Sequence, residues 1–255
     1  MYFFYLIVTL TIIMKIIGII PARFASTRFP GKPLVDIKGI SMIQRVYRQV
    51  EAADLINKVV VATDDTRIYN HVQSFGGAVV MTSNTHQSGT ERIAEVVRKS
   101  DGDFDIAINI QGDEPFIQPQ LIDDLANFLM NNSSFNIATA AKKITEKTTL
   151  FNPNVVKVVF SNTGKALYFS RQVIPYIRGI EKEKWLEQQD FYKHIGIYAF
   201  RTTALLEVIQ KPMSSFEKSE SLEQLRWLEN DYTIGVMKTK YETVGIDSPE
   251  DLKQI

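Results

Sequence analysis

Cysteine is absent from these 255 residues, which excludes disulfides, thiolate catalysis and cysteine-ligated zinc together and fits a reducing cytoplasm. Net charge is absent too. The 29 Lys and Arg balance 29 Asp and Glu, so no whole-molecule field steers the chain toward nucleic acid or anionic lipid, and any positive field must be local. Histidine is scarce, at three residues, and His71 and His86 show no metal-ligand spacing. A GxSxG elbow is missing, so a covalent acyl-enzyme has no support. Internal repeats and low-complexity tracts are missing as well. What is present, 45% apolar and 23% charged residues, suits one α/β domain with a full core, with or without a small appendage.

The long apolar run is MYFFYLIVTLTIIM, residues 1 to 14. As a helix it would extend about 21 Å, short of the roughly 30 Å hydrocarbon core. Lengthening it would bury Lys15, at a cost of about 2.5 kcal/mol or more, and would consume the strand that follows. It has neither the basic region nor the small-residue cleavage site of a signal peptide. The expectation is an over-extended reading frame with Met14 as the start and no stable membrane insertion. A weak membrane tether is the alternative.

Residues 15 to 255 read as a single domain. Apolar, β-branched runs at 14 to 20, 58 to 64, 78 to 82 and 104 to 115 alternate with helical periods at 41 to 55, 66 to 77, 90 to 99 and 119 to 130. Ser41 stands in an N-cap position, with Met42, Ile43, Val46, Tyr47 and Val50 on one helical face. This alternation predicts an open, mainly parallel sheet flanked by helices. From about 136 to 192 the rhythm turns strand-rich, with a hairpin signal at 162 to 164, and reads as a smaller β-rich element. A strand at 194 to 200, helices near 202 to 210 and 219 to 230, and a helix at SPEDLKQI close the chain.

In an open parallel sheet, ligands sit beyond the carboxyl ends of the strands. That rule selects three loops. The first, within IIPARFASTRFPGKPL, carries Arg23, Arg28 and Lys32 around Gly31. Three cations on one short loop repel one another unless an anion binds, and glycine lets backbone amides approach it, so the loop suits a polyphosphate. It matches neither a Walker A sequence nor GxGxxG. The second is TDD at 63 to 65. The third is QGDEP at 111 to 115, where Asp113 is a hard oxygen ligand of the kind that suits Mg²⁺ beside phosphates, although such an acid also decorates ordinary turns. In GIDSPEDL, Ser248, Pro249, Glu250 and Asp251 read as a helix start, which leaves Asp247 as a possible second metal ligand. HQSGTER reads as a capping box from Ser88 to Glu91 whose amides can also meet a ligand. His194, Trp185 and Trp227 fit structural roles.

PARFASTRFPGKPL, VATDD, HQSGTERIAEV, NIQGDEPFI, FNPNVVKVV, ALYFSR, HIGIYAFR, LEQLRWLE and GIDSPEDL, in this order and spacing, closely resemble the 3-deoxy-manno-octulosonate (Kdo) cytidylyltransferase family. The resemblance covers essentially everything from residue 14 onward. Many nucleotidyltransferases share the opening loop; ALYFSR, HIGIY and LEQLR narrow it to Kdo. The resemblance implies a nucleotidyltransferase-type sheet, a dimerisation role for the β-rich element at 136 to 192, and a cytoplasmic homodimer. It implies a reaction of CTP with Kdo that requires Mg²⁺ and gives CMP-Kdo and pyrophosphate for lipopolysaccharide synthesis. Carried over residue by residue, it has Arg23 and Lys32 holding the triphosphate, with Ala22 and Arg28 assisting. Asp113 and Asp247 become the magnesium ligands, and Arg23, Lys32 and Asp113 carry catalysis. Gln111, Ser88, Gly89 and Thr90 face the nucleoside, and Arg171, His194, Tyr198, Glu223 and Gln224 form the sugar-acid pocket. A related acid such as 8-amino-Kdo is the alternative substrate, and a non-catalytic nucleotide sensor the alternative class. Residues 1 to 14 and 180 to 190 depart from the family pattern, the latter as a variable surface stretch.

Overall fold

A computed structural model describes residues 14–25, 29–100, 103–243, 245, 246 and 248–254, the last two as backbone. The choice between misread start and tether, and the expectations for Arg28 and Asp247, lie outside the described residues.

The strands are β1 (Ile16–Ala22), β2 (Asp36–Ile37), β3 (Ile40–Ser41), β4 (Lys58–Thr63), β5 (Val79–Met81), β6 (Ile106–Asn109), β7 (Ile137–Lys143), β8 (Lys157–Phe160), β9 (Ala166–Ser170), β10 (Tyr192–Arg201) and β11 (Ile234–Thr239). The helices are α1 (Met42–Glu51), α2 (Thr66–Ser74), α3 (Gly89–Lys99), α4 (Pro119–Asn131), α5 (Lys147–Phe151), α6 (Trp185–Gln188), α7 (Thr202–Val208), α8 (Ser215–Glu220) and α9 (Gln224–Glu229). The main sheet runs β11-β7-β10-β6-β1-β4-β5. Its pairings are parallel except for β10, which lies antiparallel between β6 and β7. The expected mainly parallel sheet is therefore present, and β1 lies in its interior, between β6 and β4, because IIGIIPA is apolar on both faces, as a doubly covered strand must be. One apolar cluster packs α1 and α4 against one face; another packs α3, α7 and α9 against the other.

Local signals behave as the chemistry dictates. Ser41 Oγ accepts from the Gln44 amide, and all five apolar residues foreseen on the inner face of α1 are buried. The strand expected over 104 to 115 stops at Asn109, and QGDEP turns away, with the Glu114 amide bonded to the Gln111 carbonyl at 3.3 Å. The helix expected over 219 to 230 is two, α8 and α9, separated at Ser221, whose φ is 53°. The closing helix is a 3-10 turn, Asp251–Gln254. There Ser248 donates its amide and hydroxyl to Asp251, so the acid acts as acceptor and the serine does not cap.

The strand-rich stretch 136 to 192 divides. Strand β7 belongs to the main sheet, between β11 and β10, whereas the β8–β9 hairpin leaves it through a short pairing of β8 with β10. The 180 to 190 stretch is anchored by Trp185, which is buried with Ile144, Leu150 and Phe191. Its indole donates to the Ile180 carbonyl at 2.9 Å.

Candidate active site

The carboxyl ends of β1 and β6 open onto a cleft of about 460 Å³ lined by Ala22, Arg23, Lys32, Gly89, Gln111 and Asp113, among others. Gly31 closes the opening loop at φ 72°, in the left-handed region that favours glycine. Its amide donates to the Phe24 carbonyl at 2.9 Å, and an added Cβ would lie 3.1 Å from the Phe24 ring. That closure directs Lys32 inward, where its ammonium meets Asp113 Oδ2 at 2.7 Å. Arg23 donates to the His86 carbonyl. Gly112 permits the close passage of the two loops, since a Cβ there would sit 2.8 Å from the Pro21 carbonyl oxygen.

The TDD loop is used differently. Asp65 caps α2, and Asp64 accepts from the buried Arg92 at 2.8 Å, while Arg92 also donates to Thr82 Oγ1 at 2.5 Å. Both acids thus hold structure. Arg92 itself lines the cleft; its place in TERIAEV reads as an ordinary helical arginine, so sequence gave no sign of that.

The far wall begins at α3. Ser88 Oγ caps the Glu91 amide at 3.2 Å, but the Glu91 carboxylate turns to the Gln87 amide at 2.7 Å, so the capping box is only half made. Thr90 does not point its hydroxyl to the cleft; it donates to Glu223 Oε2 at 2.7 Å. Burial raises the Glu223 pKa, opposed by hydrogen bonds from Thr90 and Ser88. Gln111 donates to the Gly196 carbonyl at 3.0 Å, where β10 is irregular between Ile195 and Tyr198.

Beyond this wall the expected sugar-acid residues gather. His194 and Tyr198 lie with ring centroids 5.2 Å apart, and Tyr198 packs edge-on against Trp227 at 5.0 Å. Burial raises the Tyr198 pKa well above its ordinary value, with the charge of Glu223 adding to the effect. The Tyr198 hydroxyl is buried with no partner among the described residues. Thr139 Oγ1 lies 2.8 Å from the Ile197 carbonyl, 3.1 Å from that of Ile195 and 2.9 Å from His194 Nε2. The hydroxyl has one proton to give to the carbonyls, so it receives the His194 Nε2–H and leaves Nδ1 as the ring's acceptor. Burial lowers the His194 pKa to about 3, which keeps the ring neutral. Gln224 is buried beside Glu223 at the start of α9. Arg171 follows β9 directly, two residues after Phe169, whose ring is 5.2 Å from His194. Its Nε donates to the Glu220 carbonyl at 2.7 Å. Neither Glu220 nor its link to Arg171 was foreseen, because nothing local in FEKSESLEQ separates it from a solvated helical acid.

For a metal, the described residues contain no cluster of three or more His, Asp or Glu able to hold one. Among the described residues that line the cleft, Asp113 alone offers a partly exposed carboxylate. The Ile246 amide donates to the Asp113 carbonyl at 2.9 Å, which brings the chain just before position 247 alongside. A single accessible carboxylate fits Mg²⁺, which prefers one or two carboxylates completed by phosphate oxygens and water. Burial and the adjacent Asp113 charge raise the Glu114 pKa to about 7.

A parallel sheet with a cation-lined cleft at its carboxyl edge and a polar wall behind it defines a nucleotidyltransferase. The cytidylyltransferase family model matches residues 17–238. The 3-deoxy-manno-octulosonate cytidylyltransferase of Parabacteroides distasonis is 53% identical over 245 residues, covering 94% of this chain and 96% of that one. The protein of the same name from Cytophaga hutchinsonii is 52% identical over 243 residues, covering 95% and 96%. The solved structure of CMP:2-keto-3-deoxy-manno-octonic acid synthetase complexed with CTP superimposes with a TM-score of 0.87 at 41% identity, covering 94% of this chain and 96% of that one. The chain belongs to the cytidylyltransferase family, and within it to the 3-deoxy-manno-octulosonate cytidylyltransferases.

Proposed function

We propose that this chain transfers the cytidylyl group of CTP to Kdo, giving CMP-Kdo and pyrophosphate for lipopolysaccharide synthesis. The observation that carries the reading is the Thr90–Glu223 hydrogen bond, which joins the phosphate-side cleft to the cluster that the resemblance assigns to the acid sugar. Both substrates are anions, so their approach requires cations on each side. Arg23 and Lys32 serve the triphosphate and Arg171 the sugar carboxylate. The 2-hydroxyl oxygen of Kdo bonds to the α-phosphorus, the bond to the β-phosphate oxygen breaks, pyrophosphate departs and the hydroxyl proton is released. No protein nucleophile is needed, so positioning and charge neutralisation supply the catalysis. The first turn of α3 adds amides that lack intrahelical partners, and His194 Nδ1 supplies an acceptor for a sugar hydroxyl. Asp113, with Asp247, would hold Mg²⁺. When bound, the ion would neutralise phosphate charge and activate the hydroxyl.

The same reading includes a cytoplasmic homodimer. The apolar Leu167 of the β8–β9 hairpin is 59% exposed, which supports a pairing surface there. Among the described residues no helix is long and apolar enough to cross a membrane. The deciding assay follows pyrophosphate release by protein beginning at Met14, with CTP, Mg²⁺ and Kdo, 8-amino-Kdo, sialic acid or no acceptor. Kdo-dependent release that EDTA abolishes is expected. Release with 8-amino-Kdo in preference to Kdo would reassign the sugar, and silence from folded, CTP-binding protein would reject the transferase.

A further inference from the structure

Lys157 is fully buried at the start of β8. An ammonium has three N–H donors and no acceptor, and all three are engaged by main-chain carbonyls: Asn152 at 3.0 Å, Val155 at 2.6 Å and Arg171 at 2.6 Å. Burial lowers its pKa, the charge of Glu220 opposing this and that of Arg171 adding to it. A buried ammonium is an expensive way to close a loop, so what it joins is informative.

It joins the segments that carry the acid-sugar cluster. Arg171 is held through its own amide by Glu220 Oε2 at 2.9 Å, through Nε by the Glu220 carbonyl at 2.7 Å, and through Nη1 by the Pro153 carbonyl at 3.3 Å. Lys157 takes the remaining main-chain group, the Arg171 carbonyl. Of the nitrogens of Arg171, Nη2 alone has no partner among the described residues, and that edge is the one left for a ligand. The Val156 carbonyl, in the segment clamped by Lys157, accepts the His194 amide at 2.8 Å. Glu220 ends α8, and the chain turns from it at Ser221 toward Glu223 and Gln224.

We propose that Lys157 is a positioning residue of the acid-sugar site, its ammonium locking the Arg171 loop to the 152–156 segment so that the guanidinium meets the sugar carboxylate already oriented. The inference rests on the reading of Arg171 as the carboxylate-binding residue. It differs from a structural role in what it moves: affinity for the acid sugar and not for CTP, and only while Arg171 is present.

The test is steady-state kinetics with each substrate varied, for K157M, R171Q and the double variant. K157M is expected to raise the KM for Kdo about 10- to 30-fold and to leave the KM for CTP within about twofold, with the double variant no worse than R171Q because the two changes act on one interaction. K157Q, which keeps N–H donors without the charge, is expected to fall between wild type and K157M and replaces K157M should that variant not fold. Equal effects on both KM values, full additivity with R171Q, or an unchanged Kdo KM in K157M while R171Q raises it would each overturn the inference. An unchanged Kdo KM in R171Q refutes the reading of Arg171 itself and the inference with it. Failure of both Lys157 variants to fold assigns the lysine to the fold alone.

Discussion

Lys32 and Asp113 lie 81 positions apart in the chain and meet at 2.7 Å across the mouth of the cleft. The pair couples the loop that carries the phosphate cations to the carboxylate suited to a metal. Asp113→Asn therefore removes the charge that Lys32 meets together with the anionic ligand. The expected outcome is a fall in kcat of about 100- to 1000-fold, with CTP affinity by calorimetry changed less than about threefold and the melting temperature nearly unchanged. Turnover near the wild-type rate would remove Asp113 from the reaction.

Gly31→Ala tests the geometry of the phosphate loop. The φ of 72° costs an alanine about 1 to 2 kcal/mol, and its methyl presses on the Phe24 ring. The KM for CTP is expected to rise about tenfold and the KM for Kdo to stay put. Equal shifts in both would indicate general unfolding.

Thr90→Val removes the donor that reaches Glu223. Thr90 was expected to face the nucleoside, so a nucleotide role predicts loss of CTP affinity. The observed bond predicts the reverse: the KM for Kdo rises about fivefold or more, and that for CTP less than about twofold. Competition experiments with each substrate separate the two.

His194 makes stability depend on pH. Its folded pKa of about 3 lies below the ordinary 6.5, so between those values the unfolded chain binds a proton that the folded chain refuses. Stability from this source is complete above about pH 6.5 and is lost as pH falls toward 3. His194→Gln is expected to shrink the difference in unfolding free energy between pH 7.5 and 5.0 by about 2 kcal/mol. Urea unfolding at the two pH values measures it; an unchanged difference would mean that the ring titrates normally.

Much of the fold was legible because its signals are local. Five buried positions on α1 follow from 3.6-residue periodicity, and the apolar β1 announces a strand covered on both faces. The end of β6 was misplaced because INIQGDEP has no breaker before Gly112, and the close passage of that glycine beside the Pro21 carbonyl is a tertiary contact with no local signal. A single helix across 219 to 230 looked sound because nothing in SESLEQL forbids it; Ser221 adopts positive φ.

By itself, then, the sequence determined the alternation of strands and helices, the loops at the sheet's carboxyl edge and the family to which those loops belong. All three are written in neighbouring residues. The tertiary structure alone decided which polar groups are available to a ligand. It spends Asp64 on Arg92, directs Thr90 to a carboxylate 133 residues away, and places the Lys157 ammonium among three carbonyls. A buried polar group must find its partner wherever the fold brings one within reach, and that distance is not encoded in any local spacing.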